Sequence, residues 1–385
     1  MTMTATMTRP KKARASGGIS LSTSELRTAL SCVAPAVPTR SPKPILQNVL
    51  LADGMLTATD LDLTIMTPLM VEAGPFLLPF ARLQAILATV SADEVTLTPD
   101  GSSCTITAGG GTWRLPTEDA TEFPAPPVSI PGSKPVGRLP CDQFRTLVAS
   151  VRFATDNESS RYALGAVCVE YTPADDNGEL VFVGTDGRRM AVASCEITES
   201  LDKSQTLVPR RVMDVLYRLA SGDHAIQLER TDQQIIGTIG DTVVVARQIE
   251  GRYPRWRDVD PQRENLQPSL VQVGPLLHAC EMASICESEA SRGVTWTFTA
   301  DGIFMSARSS EYGESSATCE LVQAGTPCTV KIDPRYAVEW LRTLDAAETV
   351  EIEAEGESSA VVFRGGEPTD GKHPLRNVVM PMAKD

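Results

Sequence analysis

The chain of 385 residues is acidic, with a net charge of −14, and 42% of its residues are hydrophobic. This length accommodates three domains of ordinary size with buried cores, and no apolar run reaches the ~18–20 residues needed to cross a membrane. Nine cysteines without a C-x-x-C pair or zinc-site spacing argue against a disulfide scaffold or zinc site and favour buried thiols in a reducing cytoplasm.

The amino terminus differs in charge from the rest of the chain. Its first 18 residues are polar and carry four basic side chains without an acidic one. They lack the apolar core of a signal peptide. We therefore expect 1–18 to be a disordered basic tail that lies outside the fold.

Two proline-bearing segments divide the remaining chain. Segment 123–135 has the sequence FPAPPVSIPGSKP, and segment 250–262 has the sequence EGRYPRWRDVDPQ. Proline interrupts helices and strands, so such stretches are typical of linkers. The sequence predicts three domains, over 19–132, 133–260 and 261–385.

Six apolar stripes predict six short amphipathic helices. Residues at i, i+3, i+4 and i+7 share one face of a helix, and this pattern recurs about every 60 residues. Its members are Leu26/Ala29/Leu30/Val33, Leu83/Ile86/Leu87/Val90, Phe144/Leu147/Val148/Val151, Met213/Leu216/Tyr217/Ala220, Leu276/Ala279/Cys280/Ala283 and Ala337/Trp340/Leu341/Leu344. A proline precedes three of the stripes at the expected helix start: Pro79, Pro140 and Pro209.

A second repeat has twice this period. Asp60, Asp186 and Ser309 each lie in a polar turn between two alternating apolar segments, about 125 residues apart. Alternation with period two predicts strands. The two repeats together predict three domains, each with two helix-containing halves.

Catalytic motifs are absent from the sequence. The three histidines have no serine or cysteine partner nearby, and no phosphate-binding glycine loop occurs. A metal-dependent DNA-processing enzyme that uses Asp60, Asp62 and Asp186 remains an alternative, as does a tandem-repeat interaction scaffold unrelated to DNA. No cofactor and no metal site are expected.

Three motifs resemble those of the bacterial β sliding clamp, the processivity subunit of DNA polymerase III. They are VGTDGRRMAVAS (183–194), IEGRYPRWRDV (249–259) and VVMPM (378–382), and the resemblance extends from about Ile19 to the end. It implies an α+β fold of three topologically equivalent domains, each with two helices on the inner face and antiparallel sheets outside. It also implies a head-to-tail homodimeric ring around duplex DNA. It implies a non-catalytic cytoplasmic protein that is associated with the nucleoid.

The resemblance also implies a pocket for partner peptides between the second and third domains. The partners would be the replicative polymerase, the clamp loader and other proteins with a clamp-binding motif, and no membrane is involved. Arg188 stands where the family commonly has histidine or an aromatic residue, and Asp258 where a basic residue often borders the pocket. The implied pocket residues are Leu164, Thr185, Gly187, Arg188, Arg189, Met190, Pro254, Val259, Val378, Val379, Met380, Pro381 and Met382.

Two further surfaces follow from the same resemblance. An acidic ring can retain DNA by topology, so only its inner helix faces need to be basic. The implied DNA-facing residues are Arg40, Arg82, Asn157, Arg210, Arg211, Arg218, Arg335 and Arg342. The implied dimer contacts are Trp113 and Leu115 of one protomer and Ile285 of the other.

Overall fold

The computed structural model describes residues 18–71, 74–124, 132–156, 163–174, 177–199, 201–261, 263, 266–287, 292–366 and 374–382. The predicted tail therefore lies outside the described residues apart from Gly18. The chain forms two compact units, Met1–Ser133 with Ile236–Arg247, and Lys134–Ile235 with Gln248–Asp385. The domain boundaries given above stay predictions.

The described residues contain six α-helices, one at each predicted stripe. They are α1 (Thr23–Val33), α2 (Phe80–Thr89), α3 (Cys141–Arg152), α4 (Arg210–Leu219), α5 (Val273–Ala283) and α6 (Pro334–Leu341). Every stripe residue is buried except Tyr217 and Leu344, which are half-buried. None of these helices has the length and apolar character required to span a bilayer.

The helix starts follow from local chemistry. The Ser22 side chain accepts a hydrogen bond from the Glu25 amide, and Asp333 accepts one from the Arg335 amide, so both act as N-caps. Pro79, Pro140 and Pro209 occupy the N-cap position, one residue earlier than expected, and each also ends the preceding strand. A proline can end a ladder there because it needs no amide partner.

The first twelve strands run to the middle of the chain. They are β1 (Ile19–Ser22), β2 (Asn48–Ala52), β3 (Met55–Thr59), β4 (Leu63–Pro68), β5 (Phe76–Pro79), β6 (Glu94–Asp100), β7 (Ser103–Ala108), β8 (Gly111–Pro116), β9 (Lys134–Pro140), β10 (Ala166–Thr172), β11 (Gly178–Thr185) and β12 (Arg189–Ile197).

Twelve more strands follow. They are β13 (Ser204–Pro209), β14 (Ala225–Arg230), β15 (Gln234–Ile239), β16 (Thr242–Arg247), β17 (Ser269–Gln272), β18 (Val294–Phe298), β19 (Ile303–Ser309), β20 (Gly313–Cys319), β21 (Cys328–Ile332), β22 (Thr349–Glu353), β23 (Val361–Gly365) and β24 (Leu375–Val379).

The first unit contains a four-stranded sheet in the order β1-β6-β7-β8 and a second sheet in which β5-β2-β3-β4-β16 are neighbours. Helices α1 and α2 pack against each other. Strand β16 is contributed from a point far along the sequence, and it pairs with β4 in antiparallel register.

The second unit repeats this plan twice. Its sheets have the orders β13-β10-β11-β12-β24-β23-β22-β17 and β20-β19-β18-β21, and β9 pairs with β14. Helix α3 packs on α4, and α5 packs on α6. The aromatic rings of Trp296 and Trp340 each lie 5.9 Å from that of Phe363 in the core beneath the last helix pair.

One strand junction occurs in both units. In the first, Thr64 of β4 lies opposite Val245 of β16, and the Arg247 amide donates to the Asp62 carbonyl at 3.0 Å. In the second, Met190 of β12 lies opposite Val378 of β24, and the Met380 amide donates to the Arg188 carbonyl at 2.9 Å. The chain therefore joins its domains by the same backbone ladder each time.

Candidate partner pocket and DNA-facing surface

The turn between β11 and β12 is held by Asp186. Its Oδ1 accepts hydrogen bonds from the amides of Arg188 at 2.9 Å and Arg189 at 3.0 Å. Gly187 adopts a φ of 85°, which favours glycine because it lacks a Cβ atom. This geometry fixes the outer end of the turn and leaves Gly187 and Arg188 exposed.

The carboxy-terminal segment lies along this turn. After β24, its backbone is fixed at Met380 by the Arg188 carbonyl and at Met382 by the Lys331 carbonyl, which accepts at 2.7 Å. The Met380 side chain is 48% exposed, and Pro381 and Met382 are half-buried. The structure thus brings together two motifs that are almost 200 residues apart in sequence.

The second linker packs against strands β11, β12 and β24. Tyr253 and Trp256 are buried in a cluster with Met190 and Val378, and the Tyr253 hydroxyl donates to the Val183 carbonyl at 3.0 Å. Val259, three residues after Trp256, is 61% exposed. The linker is therefore anchored by two aromatic rings and presents an aliphatic side chain to solvent.

The implied pocket residues separate into a floor and a rim. The floor consists of buried residues: Thr185, Arg189, Met190, Val378 and Val379. The rim consists of exposed or half-buried residues: Leu164, Gly187, Arg188, Pro254, Val259, Met380, Pro381 and Met382. Met190 is only 3% exposed, so its side chain packs in the core and adds no accessible surface to the implied pocket.

Arg189 is the most heavily bonded residue of the site. Its guanidinium donates to Asp186 Oδ2 at 3.0 Å, to the Phe153 carbonyl at 2.9 Å and to Glu339 Oε2. It also lies 4.6 Å from the Tyr336 ring. Because these groups belong to the turn, the end of α3 and helix α6, Arg189 links the pocket floor to two helices.

Two ion pairs hold the linker on either side of Val259. Arg257 pairs with Glu170 of β10, and Arg376 of β24 donates to Asp260 Oδ2 at 2.6 Å. Burial raises the pKa of Glu170, but hydrogen bonds from Arg257 and Gln205 outweigh it, and the net pKa lies below its usual value. Sequence reasoning missed both pairs because their partners lie far apart in the chain.

The implied DNA-facing arginines differ in their surroundings. Arg40, Arg82, Arg211 and Arg218 are exposed, and Asn157 lies outside the described residues. Arg210 is half-buried and lies 3.8 Å from Asp214, and Arg342 donates to Glu281 at 2.8 Å.

Arg335 is the most strongly paired of the set. Its Nε donates to Asp333 Oδ1 at 2.9 Å and its Nη2 to Oδ2 at 2.5 Å, and these bonds raise its pKa. Part of the positive charge expected on the helices is thus balanced by neighbouring carboxylates.

A further arginine pair was not found from the sequence. Arg145 and Arg152 of α3 lie 4.4 and 4.3 Å from the ring of Tyr217 on α4. Arg145 also donates to the Tyr217 carbonyl at 2.9 Å. The half-buried ring of Tyr217 therefore bridges helices α3 and α4.

Strands β8 and β20 each lie at the open edge of a four-stranded sheet in the described part of the chain. There, β8 pairs only with β7, and β20 pairs only with β19. Trp113 and Leu115 of β8 are half-buried, and Ile285, just after α5, is 75% exposed. The residues implied as dimer contacts therefore lie at or beside unpaired edges.

The carboxylates of the alternative metal site hold backbone turns. Asp60 Oδ1 accepts from the amides of Asp62 and Leu63, as Asp186 Oδ1 does in its own turn. Within the described ranges, no group of three or more histidine, cysteine or acidic side chains is arranged to hold a metal ion. All nine cysteines are described, and all are free thiols.

Comparison with known families gives two matches. The family described as DNA polymerase III beta subunit, N-terminal domain, matches residues 18–127, and the family described as its central domain matches residues 138–255. Together these segments span more than half of the chain.

Similar proteins agree with these matches. A beta sliding clamp from Synechococcus elongatus is 27% identical over 358 residues, which cover 88% of this chain and 93% of that protein. A beta sliding clamp from Escherichia coli is 25% identical over 339 residues, covering 82% and 90% of the two chains.

Solved structures have the same fold. A sliding clamp from Pseudomonas aeruginosa bound to griselimycin has a TM-score of 0.86 at 23% identity, with 96% of this chain and 100% of that chain covered. A DNA polymerase sliding clamp from Caulobacter crescentus has a TM-score of 0.83 at 24% identity and the same coverage.

The predicted α+β fold of three equivalent domains is confirmed. The chain belongs to the family of DNA polymerase III beta subunits, the bacterial β sliding clamps that give this polymerase its processivity.

Proposed function

We propose that two copies of this chain close head to tail into a ring that encircles duplex DNA. The observation that carries this proposal is the pair of open edges, β8 and β20. Three equivalent domains provide three places for such a strand junction. Two of the junctions form within the chain, at β4/β16 and β12/β24, and the edges of β8 and β20 remain for the third. Pairing them between copies satisfies their amide and carbonyl groups and removes the aggregation hazard of exposed edges.

Apolar side chains at or beside these edges support the same interface. Trp113 and Leu115 lie on one face of β8, and Ile285 exposes most of its side chain. Burying such side chains contributes about 1.5–3 kcal/mol each.

Light scattering should give twice the chain mass of 41.4 kDa, and Trp113→Glu should give monomers. A Trp113→Glu protein that stays dimeric would reject this interface.

Retention on DNA is proposed to be topological. Tight phosphate contacts would add salt-dependent friction, whereas a closed ring holds DNA and still slides. The loaded protein should survive a salt challenge on a nicked circle and should leave after linearisation. Equal rates of loss from the circle and the linear form would contradict the proposal.

Partner peptides of the polymerase, the clamp loader and other clamp-binding proteins are proposed to bind at four residues of the rim: Val259, Met380, Pro381 and Met382. Methionine side chains adapt to different ligands, and two anchors of about 1.5–3 kcal/mol each suit exchangeable micromolar binding. Tethering is then the proposed activity, without a catalytic step. The nine free thiols agree with a reducing cytoplasm.

A further inference from the structure

The two junctions inside the chain share one register. In each, the strand after the turn contains a residue that lies opposite the residue just before the aspartate of the turn: Thr64 opposite Thr59, and Met190 opposite Thr185. The same residue faces the joining strand, at Val245 or at Val378. The position of the turn therefore sets the register of the junction.

The turn between β19 and β20 is the third copy. Ser309 Oγ accepts from the amides of Glu311 at 3.1 Å and Tyr312 at 3.0 Å, as the carboxylates of Asp60 and Asp186 do in their turns. This turn is one residue longer than the other two: Ser309 is paired with Gly313, and Arg308, the residue just before Ser309, lies opposite Glu314. This pairing makes Glu314 the counterpart of Thr64.

The faces of the strands agree with this assignment. Ser315 Oγ donates to the Ala283 carbonyl of α5 at 2.6 Å, so Ser315 faces the helices and Glu314 faces away from them. Thr64 likewise lies between the buried residues Leu63 and Ile65 and is only half-buried. A register shifted by one residue would turn the wrong face of β20 inward.

Strand β8 is the counterpart of β16. Each follows a two-residue turn whose first residue is a glycine at positive φ, 55° for Gly109 and 56° for Gly240. The strands begin at Gly111 and Thr242. Counting three residues from each start makes Arg114 the counterpart of Val245.

We infer that Arg114 of one protomer lies directly opposite Glu314 of a second copy in the ring. This register rests on the proposed head-to-tail dimer, and it places Trp113 opposite Ser315 of the second copy. Neither junction within the chain has a charged pair at this position. The pair is therefore confined to the joint that must assemble in solution.

Side-chain chemistry fits the assignment on both faces of the joint. Arg114 and Glu314 are 68% and 67% exposed, and their nearest ion partners are Asp100 at 3.7 Å and Arg308 at 3.0 Å in their own chain. Opposite charges directly across a ladder stabilise it, and like charges destabilise it.

On the face of the joint that points toward the helices, the inferred register places Trp113 of one protomer next to Ile285 of the second copy. Ser315 Oγ contacts the Ala283 carbonyl and accepts from the Cys286 amide at 3.3 Å, so Ser315 is bonded on both sides of Ile285. A tryptophan opposite Ser315 therefore meets Ile285. The inferred register thus brings together the apolar side chains that the dimer proposal requires.

Charge reversal tests the register. The dimer dissociation constant of the full chain is measured by sedimentation for R114E, for E314R and for the double variant. Each single reversal should raise the constant about tenfold, because it places like charges opposite each other. The double variant should return to within about threefold of wild type, because the pair is restored with opposite polarity.

A matched control uses Glu311, an exposed acid of the same turn. R114E combined with E311R should stay weak, since the inferred register does not bring these positions together. Rescue by E311R but not by E314R would overturn the register while leaving the ring intact. A double variant as weak as its single parents would do the same, and a monomeric wild type would overturn both the ring and the register.

Discussion

Leu61 and Gly187 occupy the same position in two copies of one turn, with φ values of 83° and 85°. Each follows an aspartate whose Oδ1 accepts the amide two residues later, and each donates its own amide at 3.1 Å to the threonine before that aspartate. The turn demands a positive φ from both residues, but only Gly187 adopts it without strain.

Exchanging these two residues should shift stability in opposite directions. Leu61→Gly relieves strain and should raise the free energy of unfolding by up to about 1 kcal/mol, whereas Gly187→Leu should lower it by about 1–2 kcal/mol. No atom lies within 4 Å of a Cβ built on Gly187, so a clash does not confuse the result. Chemical denaturation measures both, and a Leu61→Gly protein less stable by more than 1 kcal/mol would show that the leucine side chain stabilises the fold.

Arg189→Met should destabilise the second unit and weaken peptide binding together. It leaves Asp186 and Glu339 without their cation, at a cost of about 2–3 kcal/mol given that Glu339 is partly exposed. Arg189→Lys should recover little, because lysine lacks the planar fork that reaches three acceptors. The exposed neighbour Arg188→Met is the control and should change stability by less than about 0.5 kcal/mol; equal effects of the two methionine variants would contradict the assigned role.

The pocket rim can be tested without disturbing the core. Val259→Ser with Met380→Ser should reduce the affinity for a short peptide carrying a glutamine and a Leu-Phe pair at least tenfold, measured by fluorescence anisotropy. Deleting 380–385 should abolish binding and leave the dimer intact. Met190→Lys should instead lower stability by several kcal/mol, because it places an ammonium in the buried cluster. Undiminished binding by the folded rim variants would mean that partners dock elsewhere.

Loss of the Arg218 side chain should weaken DNA binding, whereas loss of the Arg335 side chain should mainly lower stability. Arg218 is exposed at the end of α4, so Arg218→Ala should weaken binding to a short duplex and reduce the salt slope by about 1. Arg335→Ala should mainly lower stability, because buried Asp333 loses its cation at the start of α6. A salt slope that changes only for Arg335→Ala would reverse this assignment.

Acid should weaken the attachment of the second linker. The pKa of Glu170 is lower in the folded protein than its usual value of 4.5, so its contribution is complete above that pH and is lost as pH falls through the lower folded value. Glu170→Gln removes this dependence and should flatten the fall in unfolding free energy below about pH 4.5. Parallel pH profiles for the variant and the wild type would show that the Arg257 pair does not stabilise the fold.

The periodicity of apolar residues predicts the helices, but it does not predict the ion pairs. A stripe such as Leu83/Ile86/Leu87/Val90 identifies its helix because burial repeats with the helical turn. The contact of Arg189 with Glu339 spans 150 residues, and no local pattern encodes it. Met190 shows a different limit, since a methionine in a pocket wall and one in the core beneath it look alike in sequence. Arg335 was predicted to face DNA, but its pairing with Asp333 depends on a side-chain geometry that the sequence does not specify.

The open edges of β8 and β20 also bear on how many copies assemble. The surfaces that meet are different, so the contact is heterologous and a free edge remains after each addition until the assembly closes. The joint itself does not specify two subunits; the rotation between successive copies does. Variants that alter the angle between domains within one chain are therefore expected to produce open filaments or rings of another size, even with every residue of the joint unchanged.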